Sequence, residues 1–87
     1  MFDEYLLFVR ASCPYCISAM TELKERNLSY KAVEIDGCSD EFIHQLKNAY
    51  GHESFPMVLG HDKTYQSYIW IGGSDKLGEF LNGEQEI

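Results

Sequence analysis

Residues 5–16, Tyr5-Leu6-Leu7-Phe8-Val9-Arg10-Ala11-Ser12-Cys13-Pro14-Tyr15-Cys16, decide how this chain folds. The first five form an unbroken apolar run, short and rich in aromatic and branched side chains, which fits a buried strand. Pro14 suits the first turn of a helix, where its missing N–H removes no hydrogen bond. Cys16, Met20 and Leu23 then recur at helical spacing, with Glu22, Lys24, Glu25 and Arg26 set to face outward and Asn27 to end the helix. A strand therefore runs into a helix, with two cysteines at the junction.

Working outward, Tyr30 to Ile35 reads as a second strand, stopped at Asp36-Gly37. Ser39 is a good N-cap, and Asp40 and Glu41 complement the dipole of the helix that follows. Phe42, Leu46 and Tyr50 mark the apolar face of that helix, and Gly51 supplies its stop. Met57-Val58-Leu59 is a short strand after Pro56, His61 to Thr64 a turn, and Tyr68 to Ile71 a fourth strand broken by Gly72-Gly73. Ser74 caps a last helix with apolar positions Leu77, Phe80 and Leu81. The order is β-α-β-α-β-β-α. The first βαβ unit implies a right-handed crossover and a parallel pair, and the last two strands an antiparallel hairpin. The expected fold is α/β: a four-stranded mixed sheet flanked by three helices, in one domain over 1–87 with a core at about 4–82 and a frayed tail after it.

The 87 residues are 45% hydrophobic and 24% charged, ordinary globular usage. No apolar run approaches the roughly 20 residues of a membrane span. Met1-Phe2-Asp3-Glu4 carries acids where a secretory signal would carry Lys or Arg, so an unexported, cytoplasmic protein without a membrane partner is expected. A net charge of −7 repels phosphate backbones and disfavours nucleic-acid binding. The three cysteines are an odd number, unlike the even sets of stapled secreted scaffolds. The C-x-x-C spacing in an unexported chain points instead to redox or metal chemistry.

At a helix N-terminus the free backbone N–H groups and the dipole stabilise an anion. Cys13 sits at that terminus, so its thiolate is favoured as nucleophile, and Cys16 lies one turn on, within reach to bridge. Arg10 can add a positive charge. Pro56 alone reads as an ordinary proline at a strand start, but it can also hold a cis bond that sets backbone groups beside the motif. Gly72-Gly73-Ser74-Asp75 alone reads as a turn and cap, but it also allows close backbone approach and offers N–H groups to a carboxylate.

Together, Arg10, Cys13-Pro14-Tyr15-Cys16, Pro56 and Gly72-Gly73-Ser74-Asp75 resemble the glutaredoxin family, and the element order resembles its thioredoxin-like fold. The resemblance covers about residues 4–82. It implies a dithiol enzyme that uses glutathione as reducing co-substrate. Cys13 and Cys16 would be catalytic. Arg10, where the family usually has Lys, would pair with the glycine carboxylate. Phe55 beside Pro56 would bond the cysteinyl part through its backbone, Tyr15 would line the groove, and Gly73, Ser74 and Asp75 would hold the γ-glutamyl end. Implied partners are glutathione and disulfide or glutathionylated protein clients, with ribonucleotide reductase a candidate on family grounds, acting on a monomer that holds no metal. Two departures stand out. Ser54-Phe55-Pro56 replaces the family's Thr-Val-Pro, and the segment from Pro56 to Gly72 is longer than its final hairpin. Cys38 is expected to be a passive, partly buried thiol, and His44, His52 and His61 to be surface residues. The alternatives are a relative coupled to thioredoxin reductase and a module holding an iron–sulfur cluster or zinc. Arg10, Ser74 and Asp75 argue against the first, and the shortage of nearby thiolates against the second.

Overall fold

The computed structural model describes residues 2–85. It contains β1 (Glu4–Val9), α1 (Pro14–Glu25), β2 (Tyr30–Glu34), α2 (Asp40–Tyr50), β3 (Met57–Asp62), β4 (Ser67–Gly72) and α3 (Ser74–Gln85). The sheet order is β2-β1-β3-β4. β1 and β2 are parallel, with Tyr5 opposite Tyr30, and β3 runs antiparallel to both β1 and β4. The mixed four-stranded sheet with three helices is as the sequence predicts.

β1 is central, and this explains its unbroken apolar run. Tyr5, Leu7 and Val9 point to one face, where they meet Cys16, Ala19 and Leu23 of α1 and Leu77 and Leu81 of α3. Phe8 points to the other face and packs with Ile35, Leu46, Met57 and Trp70 under α2. With one face buried and the other partly covered, the strand has no fully solvated side to alternate with.

Local signals place the helix ends. Cys13 is the N-cap of α1, and Pro14 lies in the first turn. At the far end Asn27 takes a left-handed conformation (φ 58°), which lets the Leu28 amide bond the Leu23 carbonyl at 2.9 Å and closes the helix. The Arg26 guanidinium then bonds the Asn82 side chain (2.9 Å) and the Leu81 carbonyl (3.5 Å), tying α1 to α3. Ser39 caps α2 by accepting from the Phe42 amide, and Gly51 ends it at φ 60°.

Several boundaries and faces differ from expectation. The buried side of α2 is Leu46 with partly buried Ile43, whereas Phe42 and Tyr50 are exposed at their edges; Tyr50 instead stacks on Trp70 with ring centroids 4.7 Å apart. β2 is an edge strand and mostly exposed, and of the predicted run only Ile35, just past its end, is fully buried. β3 continues through His61 and Asp62, which the sequence assigned to the turn; the turn falls at 63–66. There Asp62 accepts from the amides of Thr64 and Tyr65, and Gln66 takes a positive φ. The extra hairpin length is thus regular strand. His61 donates to Asp3 at 2.8 Å, and the Phe2 ring lies directly over Gly60, where a Cβ would collide with it. α3 starts at Ser74 itself, with Gly73 in the cap position accepting from Leu77, and the tail expected after residue 82 is helical as far as Gln85. Residues 86–87 of that tail lie outside the described residues.

Candidate active site

The C-terminal end of β1 delivers Arg10, Ala11 and Ser12 to the start of α1, and Cys13 caps that helix. Its Sγ accepts from the Cys16 backbone amide at 3.2 Å, the bond an N-cap acceptor makes, but with sulfur in place of oxygen. A thiolate there gains from the amide and from the helix dipole. As a thiol, Sγ instead donates to the Phe55 carbonyl at 3.6 Å. The Phe55–Pro56 bond is cis, which sets that carbonyl beside the sulfur. Both cysteines and Cys38 are free thiols, and Cys13 is partly exposed.

Cys16 differs sharply from Cys13. It has no solvent exposure and packs against Leu7, Ala19 and Leu23. Burial first, then the bond with Cys13, push its thiol from an ordinary 9.0 up to about 11. Solvent thus reaches the first cysteine in part and the second not at all, and the second keeps its proton. Because the folded state holds the Cys16 proton more tightly than the unfolded chain, the resulting stability is fully present below pH 9 and is lost as pH rises through about 11. Thermal unfolding of native protein and Cys16→Ala between pH 8 and 11 checks this. The difference in Tm between the two should drift towards the variant's favour as pH rises. A constant difference across that range contradicts it, since the lysines and tyrosines titrate in both proteins.

Beside the thiols lies a groove of about 370 Å³ lined by Tyr15, His52, Ser54, Phe55, Pro56, Gly73, Ser74 and Asp75. The structure therefore brings together six residues predicted from sequence: Tyr15, Phe55, Pro56, Gly73, Ser74 and Asp75. Tyr15 is two-thirds exposed and forms one wall. Gly72 ends β4 at φ 136°, a value side chains rarely adopt, and turns the chain so that Gly73, Ser74 and Asp75 open α3 into the groove. A slightly larger depression of about 420 Å³ lies on the outer face of α1, between Ser18, Thr21, Glu22, Glu25 and Arg26; it has no thiol in its wall and lies on the far side of that helix from Cys16.

Arg10 is not in the groove wall. Its guanidinium pairs with Asp36 at 3.2 Å and lies over the Phe55 ring, 5.1 Å from its centroid; the Lys47 ammonium approaches the same ring at 5.9 Å. Asp36 also accepts from the Ala11 amide at 2.7 Å. One carboxylate thus fixes both the cation and the backbone that leads into Cys13. Asp36, expected only as a strand break, thus supports the site, and His52, expected at the surface, lines the groove. His52 follows Gly51, whose left-handed turn brings the His52 amide back to the Lys47 carbonyl at 3.1 Å and projects the ring into the groove. A histidine directly after a helix-ending glycine was the available signal.

The sequence matches the family model for glutaredoxin over residues 6–63. The chain belongs to the glutaredoxin family. It is 30% identical over 73 residues to glutaredoxin 1 of Rickettsia felis, covering 83% of this chain and 66% of that protein, so it spans about two thirds of that relative's length. The holo form of glutaredoxin C1 from Populus tremula x tremuloides superposes with a TM-score of 0.79 at 26% identity, over 95% of this chain and 71% of that one. A buckwheat glutaredoxin, solved as a glutathione complex, has the same fold, with a TM-score of 0.77 at 22% identity over 92% of this chain and 69% of that one. Within the glutaredoxin frame the thiol pair, the cis-proline turn and the start of α3 meet at one end of the sheet.

Proposed function

We propose that this chain is a dithiol glutaredoxin: a cytoplasmic, monomeric thiol–disulfide oxidoreductase that draws its electrons from glutathione. The observation that carries the reading is the pairing of a partly exposed Cys13 at a helix N-terminus with a groove that ends at Ser74 and Asp75. Glutathione is a short peptide with a carboxylate at each end and one free amine. Asp75 suits the amine, the amides that open α3 suit the γ-glutamyl carboxylate, and the cations around Phe55 suit the glycine carboxylate. The family relationship and the glutathione-bound buckwheat protein of the same fold support the assignment.

For a glutathionylated client, the Cys13 thiolate attacks the glutathione sulfur. The glutathione–client disulfide breaks, a Cys13–glutathione disulfide forms, and the client leaves as a thiolate that takes up a proton. A second glutathione thiolate then attacks that mixed disulfide, restoring Cys13 and releasing oxidised glutathione. For a client with an internal disulfide, the Cys13 thiolate attacks one sulfur; the client disulfide breaks, a Cys13–client disulfide forms, and the client's other sulfur is freed as a thiolate that takes up a proton. Cys16 then gives its proton to the departing client sulfur and closes the Cys13–Cys16 disulfide, which glutathione reduces in two exchanges. Potentials typical of such proteins, about −200 to −230 mV, lie near the glutathione poise, so exchange runs in both directions. Ribonucleotide reductase is one candidate client.

The test separates glutathione recognition from thiol chemistry. Arg10→Gln and Asp75→Ala each remove a charge-assisted contact, and apparent glutathione affinity should fall about tenfold or more in each. Reduction by a small dithiol, which lacks both ends of glutathione, should change little. If both variants slow the two reductants equally, the residues do not read glutathione and electrons from thioredoxin reductase become the better account.

A further inference from the structure

His52 is part of the groove wall. His52 lies across Gly73 from Asp75. At the point a Cβ on Gly73 would occupy, the Asp75 carboxylate is 3.4 Å away and the Cε1 and Nε2 atoms of His52 are 3.6 Å away. The two side chains therefore flank one small gap, and the absence of a side chain at position 73 keeps it open.

The imidazole is held in place. Nε2 lies 3.2 Å from the Ser54 hydroxyl, and the ring meets Trp70 edge-on at 5.3 Å. Trp70 is itself stacked on Tyr50. Ser54 and the Gly51 turn belong to the same loop that presents Phe55–Pro56 to Cys13. A ring braced by Ser54 and Trp70, with Nε2 beside the gap at Gly73, is set for recognition of a ligand.

We infer that His52 is a specificity-determining residue whose Nε2–H, shared with the accepting Ser54 oxygen, donates to the α-carboxylate of the γ-glutamyl group while Asp75 takes the amine. An amino-acid head group carries a cation and an anion on one carbon, so it needs an acceptor and a donor a few ångströms apart. Asp75 on one side of Gly73 and His52 on the other meet that need, and the amides at the start of α3 add to the carboxylate side. The inference rests on the glutathione reading above and deepens it: the γ-glutamyl end is read by a side-chain donor from the α2–β3 loop as well as by α3.

Two fluorescent peptides test it, one carrying a glutathione mixed disulfide and one a cysteinylglycine mixed disulfide, both turned over with the same small dithiol as reductant. Native protein should prefer the glutathionylated peptide in kcat/KM. His52→Ala should lower kcat/KM for that peptide about tenfold and leave the cysteinylglycine peptide unchanged, so that the preference collapses. His52→Gln, which keeps an N–H donor, should recover part of it. If His52→Ala slows both peptides equally or leaves the preference intact, His52 does not read the γ-glutamyl end. If native protein itself shows no preference, the glutathione assignment fails first, and this one with it.

Discussion

Cys13→Ser is expected to abolish turnover with every disulfide substrate, because Cys13 is the only thiol of the pair that solvent reaches. Cys16 cannot replace it. Its sulfur has no exposure, and its thiol holds its proton up to about pH 11. At neutral pH the pair then supplies almost no nucleophile beside the groove, and the rate should fall to that of the free reductant alone. Cys16→Ser should behave differently. It keeps Cys13 and the groove, so release of glutathione from a glutathionylated peptide should continue. Reduction of a protein disulfide by way of the Cys13–Cys16 bridge should stop. Assaying both variants on both substrates checks the division of labour. Activity in Cys13→Ser together with loss of both activities in Cys16→Ser reverses the roles.

Leu77→Ala should cause a large loss of stability. Leu77 has no solvent exposure and lies in the core shared by β1, α1 and α3, beside Leu7, Leu23 and Leu81. Truncating such a residue removes its burial and leaves a cavity, at a cost of about 2–5 kcal/mol. A domain of this size has a total stability of roughly 4–13 kcal/mol. The variant should unfold on the order of 10 °C or more below native protein. Leu77 also sits one helical turn after Gly73 and donates its amide to the Gly73 carbonyl at 3.0 Å. Weak packing there should loosen Ser74 and Asp75, so glutathione should protect the variant less than it protects native protein. Thermal unfolding with and without glutathione measures both effects.

Much of this was legible in the sequence because local chemistry and tertiary packing agree. β1 reads as a buried strand, and Tyr5, Leu7 and Val9 are buried while Leu6 and Phe8 on the other face are partly covered. Pro14, Ser39 and Gly51 each act where their backbone preferences put them, at helix ends. The features that misled depend on neighbours distant in sequence. Phe42 and Tyr50 sit at helical spacing with Leu46, yet the inward direction of α2 is set by Ile35, Met57 and Trp70, and it favours Ile43. His61 and Asp62 look like turn residues, but Asp3 and Tyr68 partner His61 and hold it in the strand. Arg10 and Asp36 are 26 residues apart, so their pairing shows only once β1 and β2 are side by side. His52 reads as a surface residue because its place in the groove comes from Gly51, Ser54 and Trp70 acting together.

The central claim is that the Cys13 sulfur takes the glutathionyl group from a client. The direct measurement is mass spectrometry of the Cys16→Ser variant mixed with a glutathionylated peptide and no reductant, followed by digestion to locate the adduct. One glutathionyl group on Cys13, with one equivalent of free peptide thiol released, is the predicted result. A glutathionyl group on Cys38, or the peptide rather than glutathione joined to Cys13, contradicts the account.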